Sequence, residues 1–258
     1  MEKFQKSLFN MFILNEANYI SGWFAITFGL ISAALTIGFS IPQIVQVYKK
    51  KSAGNIKYYS FWLFYIGTLG WIILGAFDNN AQNVKNFMVV YTNLITLFIN
   101  QFLLFMLYKY SNSQLRKKLK WVVLSITTTI FIIIAVISNW ALWGKTNDGD
   151  SIKLSEKALL IIGQIIPIIT AFAFLPQILK SIDTKDFTGM SLGMIILALC
   201  SNIGWTAYWV SYAINAGGFQ NQYISALIWQ AISFLVFALI FIFTIIDKFK
   251  KKEVIKNV

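Results

Sequence analysis

Ile41-Pro42-Gln43-Ile44 recurs as Leu175-Pro176-Gln177-Ile178, 134 positions further along the chain. The same offset carries Gly70-Trp71 onto Gly204-Trp205. Two landmarks that share one offset, each at a comparable place in its own apolar run, define an internal repeat. The repeat decides the fold, because the rest of the chain reads as membrane-spanning helix arranged around it.

The runs that carry these landmarks belong to a chain that is 57% hydrophobic, 17% aromatic and only 12% charged. A soluble domain spends about a quarter of its residues on charge. Stretches long enough to cross a bilayer, about 20 residues each, occupy 22–48, 58–77, 87–108, 121–143, 158–179, 192–214 and 223–246. Seven spans leave no soluble domain to place and put the two ends of the chain on opposite sides. Residues 1–20 mix Lys3, Lys6, Asn10, Asn15, Glu16 and Asn18 with Phe4, Leu8, Phe9 and Phe12. That reads as an amphipathic segment on the membrane surface, since a signal peptide has a basic start, a clean apolar core and a small-residue cleavage site.

Each copy of the repeat takes three spans, and the fourth span stands alone between them. An odd linker restores the starting side of the membrane before the second copy begins, so both copies share one orientation about an axis along the membrane normal. The expected fold class is all-α integral membrane: seven transmembrane helices as two parallel three-helix bundles joined by a linker helix. The expected divisions are an amphipathic segment at 1–20, a first repeat at 21–110, the linker helix with its loops at 111–150, and a second repeat with a basic tail at 151–258. The net charge of +12 is concentrated in short gaps between spans and therefore reports topology, not nucleic-acid binding. One set of gaps, which includes Lys49 to Lys51, Lys57, the cluster from Lys109 to Lys120, and the tail, holds sixteen basic residues against six in the other. Basic loops resist translocation, so the expectation is a multi-pass plasma-membrane protein with its N-terminus outside and its C-terminus in the cytoplasm. The excess of Lys over Arg, with abundant Ile, Asn, Phe and Tyr, is the coding signature of an AT-rich, bacterial type of genome.

All three prolines, Pro42, Pro167 and Pro176, fall within the apolar runs. A proline inside a helix removes one backbone bond and pushes away the carbonyl four residues earlier, here those of Gly38, Gly163 and Phe172. Such breaks survive in membranes where neighbouring helices, side chains or a wet cavity satisfy the freed group. Gln43 and Gln177 place amides at two of the bends, and each Pro-Gln pair is read as a hinge with its own polar lock.

With these residues in view the sequence resembles the PQ-loop family, which includes the SWEET and SemiSWEET sugar carriers and the lysosomal cystine exporter. The resemblance rests on Pro42-Gln43 and Pro176-Gln177, supported by the turns Ser52-Ala53-Gly54-Asn55-Ile56 and Thr188-Gly189-Met190-Ser191-Leu192. It implies a central pocket lined by a tryptophan of the second helix and an asparagine of the third. Trp71 resembles that tryptophan, and Asn93 fits the asparagine by its distance from Lys109. Trp205 matches Trp71, whereas the position 134 after Asn93 is Leu227, with Gln230 the nearest polar substitute one helical turn on. That departure leaves an amino acid, a vitamin or a nucleoside open beside a sugar.

Thr68 and Asn202 also share the offset and sit three residues before their tryptophans, which puts them near the same helix face. The residues expected at the pocket are Trp71, Asn93, Asn202, Trp205, Thr68 and Gln230, with Pro42, Gln43, Pro176 and Gln177 as hinges. Asn100, Gln101 and Gln164 are further mid-span amides, each equally well read as glue between helices. The chain has no histidine, and no Asp, Glu, Lys or Arg falls in the central part of any span. This removes the usual carriers of proton relays, the Schiff-base lysine of a light receptor, and any catalytic base at depth. Cys200 is the only cysteine, so neither a disulfide nor a metal site is expected, and no cofactor. Asp78, Asp183 and Asp186 are peripheral carboxylates. The reading is a carrier of a small neutral polar solute, sugar first, by alternating access and facilitated diffusion, not an enzyme. Its partners are that solute and the lipid bilayer, with a homo-oligomer left open. A non-transporting receptor or scaffold of the same fold is the alternative.

Overall fold

The computed structural model describes residues 4–7, 9, 14–77, 87–145, 152–184, 186–187, 189–219 and 221–256. The first span is two helices, α1 (Tyr19–Gly38) and α2 (Ile41–Lys50), followed by α3 (Tyr58–Ala76) and α4 (Phe87–Lys109). A short α5 (Gln114–Lys118) leads into the linker α6 (Lys120–Trp143). The second repeat is α7 (Glu156–Phe172), α8 (Leu175–Thr184), α9 (Leu192–Asn215) and α10 (Asn221–Lys256). Among the described residues seven helical stretches are long and apolar enough to cross a membrane. The chain is a multi-pass membrane protein in which three spans, a linker and three spans follow one another.

Packing repeats with the sequence. In each copy the third helix packs against both of the others, α4 on α1 and α3, and α10 on α7 and α9. The linker α6 lies against α4 and α3 and turns Trp121, Ile133, Val136, Trp140 and Trp143 outward. The two repeats meet along two seams, α1 with α9 and α3 with α7. The 134-residue offset exchanges one seam for the other.

The Gly-Trp landmarks explain how the seams close. A Cβ on Gly70 would overlap the side chain of Ile166, and one on Gly204 would overlap Ser32 Oγ. Ser32 and Ile166 are themselves one offset apart. Each glycine therefore marks the place where the first helix of the other repeat comes closest, and small residues there let the backbones approach.

The spans break where the Pro-Gln pairs stand, but not in the expected manner. The first span turns at Phe39 and Ser40, and Pro42 falls in the opening turn of α2, where a missing N–H would have been unbonded in any case. Pro176 occupies the equivalent place in α8, after a turn at Ala173 and Phe174. Each proline thus begins a new helix and does not interrupt one. Phe39 N bonds back to Thr36 O at 3.3 Å, and Ile44 N and Ile178 N bond to Ser40 O and Phe174 O at 3.1 Å. Pro167 differs again, because α7 runs straight through it.

The seam geometry separates two glycines that look alike in sequence. Gly70→Ala should lower the thermal midpoint, because overpacking a tight contact costs about 1–3 kcal/mol. Gly163→Ala, whose Cβ would meet only Leu74 Cδ1 at 3.9 Å, should hold or raise it, since alanine is about 1 kcal/mol better than glycine inside a helix. Fluorescence-monitored unfolding in detergent measures both; equal midpoints would contradict the close seam.

Candidate functional site

A cavity of about 150 Å³ lies where the two repeats face each other. A cavity of that size is enough to hold one six-membered ring. Its walls follow the offset: Thr36 and Thr170, Phe64 and Ala198, Thr68 and Asn202, and Trp71 and Trp205 all line it as matched pairs. The cavity therefore straddles the axis that relates the repeats.

All six residues expected at a pocket border this one cavity: Trp71, Asn93, Asn202, Trp205, Thr68 and Gln230. Their hydrogen bonds define what they offer. Asn93 Nδ2 donates to Val89 O and Asn202 Nδ2 to Ala198 O, both at 2.8 Å. A carbonyl accepts only from the amide nitrogen, so each Oδ1 remains as an acceptor. Thr68 donates its hydroxyl to Phe64 O at 2.8 Å and keeps its oxygen lone pairs. Leu227, the offset mate of Asn93, is absent from the walls, and Gln230 supplies an amide from the same helix.

The two tryptophans differ. Trp205 Nε1 donates to Thr36 Oγ1 at 2.9 Å, and Thr36 Oγ1 also lies 2.9 Å from Ser201 Oγ and donates to Ser32 O at 2.8 Å. The Trp71 indole N–H has no hydrogen-bond partner among the described residues. Thr36, Thr170 and Ser201 were not among the residues expected from sequence. The two threonines stand six residues before their prolines, so the offset itself carried the signal.

No ionisable side chain lines the cavity among the described residues. Trp209 and Trp229 add aromatic faces, and Ser233 adds a hydroxyl. Toward the Pro-Gln end the floor is a cluster of phenylalanines. Phe39 stands 4.8 Å from Phe64, 5.8 Å from Phe174 and 6.0 Å from Phe237 between ring centroids.

Beneath this floor the Pro-Gln glutamines form a clamp, and here the expectation of a lock local to each bend is corrected. Gln43 Nε2 donates to Gly189 O at 2.9 Å, and its Oε1 accepts from Ser191 N. Gln177 Nε2 donates to Asn55 O at 2.9 Å, and its Oε1 accepts from Lys57 N. Asn55 maps onto Gly189 and Lys57 onto Ser191 at the same offset. Each glutamine holds the turn of the other repeat, with both side chains buried. A Cβ on Gly189 would stand 3.0 Å from Asn55 C and press on its carbonyl oxygen, so the mates touch backbone to backbone near the axis. Thr188 of the same turn lies outside the described residues.

The remaining candidates fall elsewhere. Gln164 Nε2 bonds Ser225 Oγ at 3.0 Å, joining α7 to α10, and Gln101 Oε1 accepts from Thr128 at 3.4 Å, joining α4 to α6. Both act as glue between helices. Asn100 is fully buried away from the cavity. Asp183 is exposed, Asp186 N bonds Ser181 O at the end of α8, and Asp78 lies outside the described residues. At the basic end of the bundle the Lys51 ammonium, 3.3 Å from the Tyr110 hydroxyl, lowers that phenol below its ordinary range, aided by the charge of Lys109.

Fold and cavity together define a duplicated three-helix membrane bundle built around a neutral, aromatic-walled cavity on its own axis. The family model described as PQ loop repeat matches residues 24–84 and 158–215. A protein described as the sugar transporter SemiSWEET of Escherichia coli (strain UMEA 3162-1) is 30% identical over 93 residues, which cover 36% of this chain and 94% of that protein. The chain belongs to the PQ-loop repeat family. A eukaryotic SWEET transporter structure superposes with a TM-score of 0.50 over 86% of this chain and 98% of its own, at 12% identity, a likeness of fold.

The clamp is testable apart from any solute. Gln43→Leu strands Gly189 O and Ser191 N, and each unpaired buried group costs about 1–3 kcal/mol. Gln177→Leu strands Asn55 O and Lys57 N in the same way. Both variants should lose several degrees in thermal midpoint; a midpoint equal to that of the unaltered protein would mean the glutamines are not holding the turns.

Proposed function

We propose that this chain is a carrier of a small neutral polar solute, sugar first, which it moves down its gradient by exposing the axial cavity alternately to the two sides of the membrane. The observation that carries the reading is the cavity itself. It lies where two parallel repeats meet, the usual place for a carrier site, and has aromatic faces and amide oxygens and, among the described residues, no charge. Sugar rings present apolar faces for stacking and hydroxyls for such acceptors. A zwitterionic amino acid would bring two charges into a site with no partner for either, at a steep desolvation cost. The size of the cavity favours one ring over an oligosaccharide. The bacterial relative, a sugar transporter by its description, supports the same class.

On this reading the basic ends of the bundle face the cytoplasm, with the N-terminus outside, in the plasma membrane. The clamp then closes the cytoplasmic mouth, and the turns before Pro42 and Pro176 are where the spans bend as it opens.

Purified protein in liposomes, screened by counterflow of labelled D-glucose, D-galactose, L-leucine and uridine, tests the class. Exchange of a monosaccharide without exchange of leucine is expected; exchange of leucine alone would overturn the assignment. Trp71→Ala and Asn93→Ala should each weaken binding of the exchanged solute by tenfold or more while the protein still inserts. Pro42→Ala and Pro176→Ala should slow exchange without weakening binding. Wild-type rates in both proline variants would remove the bends from the cycle.

A further inference from the structure

The two seams are related by the offset, yet they are not built alike. We propose that the α1–α9 seam is a fixed spine, positioned by Thr36, Ser201 and Asn215, and that the α3–α7 seam is the one that parts to open the cavity away from the clamp. The proposal rests on the alternating-access reading and adds which interface moves.

The contrast holds level by level. In mid-membrane Thr36 joins both Ser201 and Trp205 across the first seam. The mates of these residues are Thr170, Gly67 and Trp71. Gly67 has no hydroxyl, and a Cβ there would overlap the Thr170 methyl. Thr170 Oγ1 therefore turns back on its own helix, to Ile166 O and Pro167 O at 3.1 Å. Among the described residues no hydrogen bond joins α3 to α7.

At the end remote from the clamp, Asn215 is buried and ties α9 to the chain that enters α1. Its Oδ1 accepts from Asn15 N at 2.7 Å, its Nδ2 donates to Asn15 O and Asn18 O at 3.0 Å, and its carbonyl accepts from Asn18 Nδ2 at 2.8 Å. Phe9 packs over the same corner, stacked on Tyr19 and edge-on to Trp23. The offset mate of Asn215 is Ala81, a residue with no polar side chain. On that side, among the described residues, the backbone bond from Leu154 N to Phe77 O at 3.3 Å connects the flanks of the helices.

The four clamp bonds are the same at both seams, and Lys180 Nζ to Ile56 O and Asn55 Nδ2 to Thr184 Oγ1 add to the second at that end, so the seams are told apart in mid-membrane and at the remote end. A seam with side-chain bonds in its middle and four at its far end resists parting. A seam that, among the described residues, is held in its middle by apolar contact against glycine parts there without stranding a polar group.

Paired cysteines at offset-related positions test this in a Cys200→Ala background. Ser32→Cys with Gly204→Cys bridges the first seam, and Gly70→Cys with Ile166→Cys bridges the second. A Cβ on Gly204 would lie 3.4 Å from Ser32 Cβ, close to the disulfide range of about 3.5–4.5 Å. A reporter cysteine at Ser233, on the cavity wall, is then labelled with a membrane-impermeant maleimide from each side of sealed vesicles. The α1–α9 bridge should leave labelling within twofold of the reduced form. The α3–α7 bridge should slow labelling from the side remote from the clamp at least tenfold, reversed by reductant.

Equal slowing by both bridges, or greater slowing by the first, overturns the assignment of the spine. A reporter that reacts from one side alone in the unbridged protein overturns the alternating-access reading instead. If the Gly70 and Ile166 pair does not fold in its reduced form, Leu74→Cys with Gly163→Cys, joined by a short bis-methanethiosulfonate crosslinker where the contact is looser, closes the same seam with the same two outcomes.

Discussion

Two buried side-chain amides hold the halves of this protein together at one end. Each Pro-Gln glutamine gives its donor and its acceptor to the backbone of the other repeat's turn, so four bonds are made by two residues. The net gain per bond is modest, about 1 kcal/mol, but a turn left without its partner carries unpaired backbone groups into apolar surroundings at greater cost. The clamp thus sets where the seams converge, and the rest follows from it. Asn55 and Gly189 meet near the axis, the phenylalanine floor sits above them, and the cavity opens above the floor.

The prolines serve this arrangement by position. A proline in the first turn of a helix costs no hydrogen bond, so α2 and α8 begin at the breaks without stranding a donor. Each then presents its glutamine to the opposite repeat and not to its own bend. Spacing along one chain does not reveal this, because a polar side chain near a break can satisfy either its own backbone or a neighbour's, and only the packing decides. For the same reason Pro167 read as a break in sequence, whereas α7 passes through it.

Much of what sequence revealed was what the duplication preserved. Six of the seven spans and the matched pairs Trp71 with Trp205 and Thr68 with Asn202 sit at a single offset, and the structure gathers those pairs at one cavity. Thr36 and Thr170 were equally legible at that offset, but a threonine in an apolar run draws no notice until its partner is known. Ser201 was hidden for the opposite reason. Its mate is Gly67, and a position where the copies differ leaves no trace in a search for likeness.

Those differences are what a duplicated chain allows. Two identical units about a two-fold axis must present the same side chain twice, whereas fused repeats can change one copy alone. Here one change sets Ser201 beside Thr36 and Trp205 where the other copy has Gly67, and the Trp71 N–H has no partner among the described residues; another replaces the mate of Asn93 with Leu227. The cavity therefore offers unlike walls to an unlike-sided solute while its clamp stays symmetric. On the proposed cycle, opening at the clamp end breaks four bonds, a difference of a few kcal/mol at about 0.6–1 kcal/mol each in a membrane interior. A gap of that size still leaves the opposite state populated at about 0.1–10%. On that cycle a solute gradient is then enough to drive net movement, with no Asp, Glu, Lys or Arg in the central part of any span.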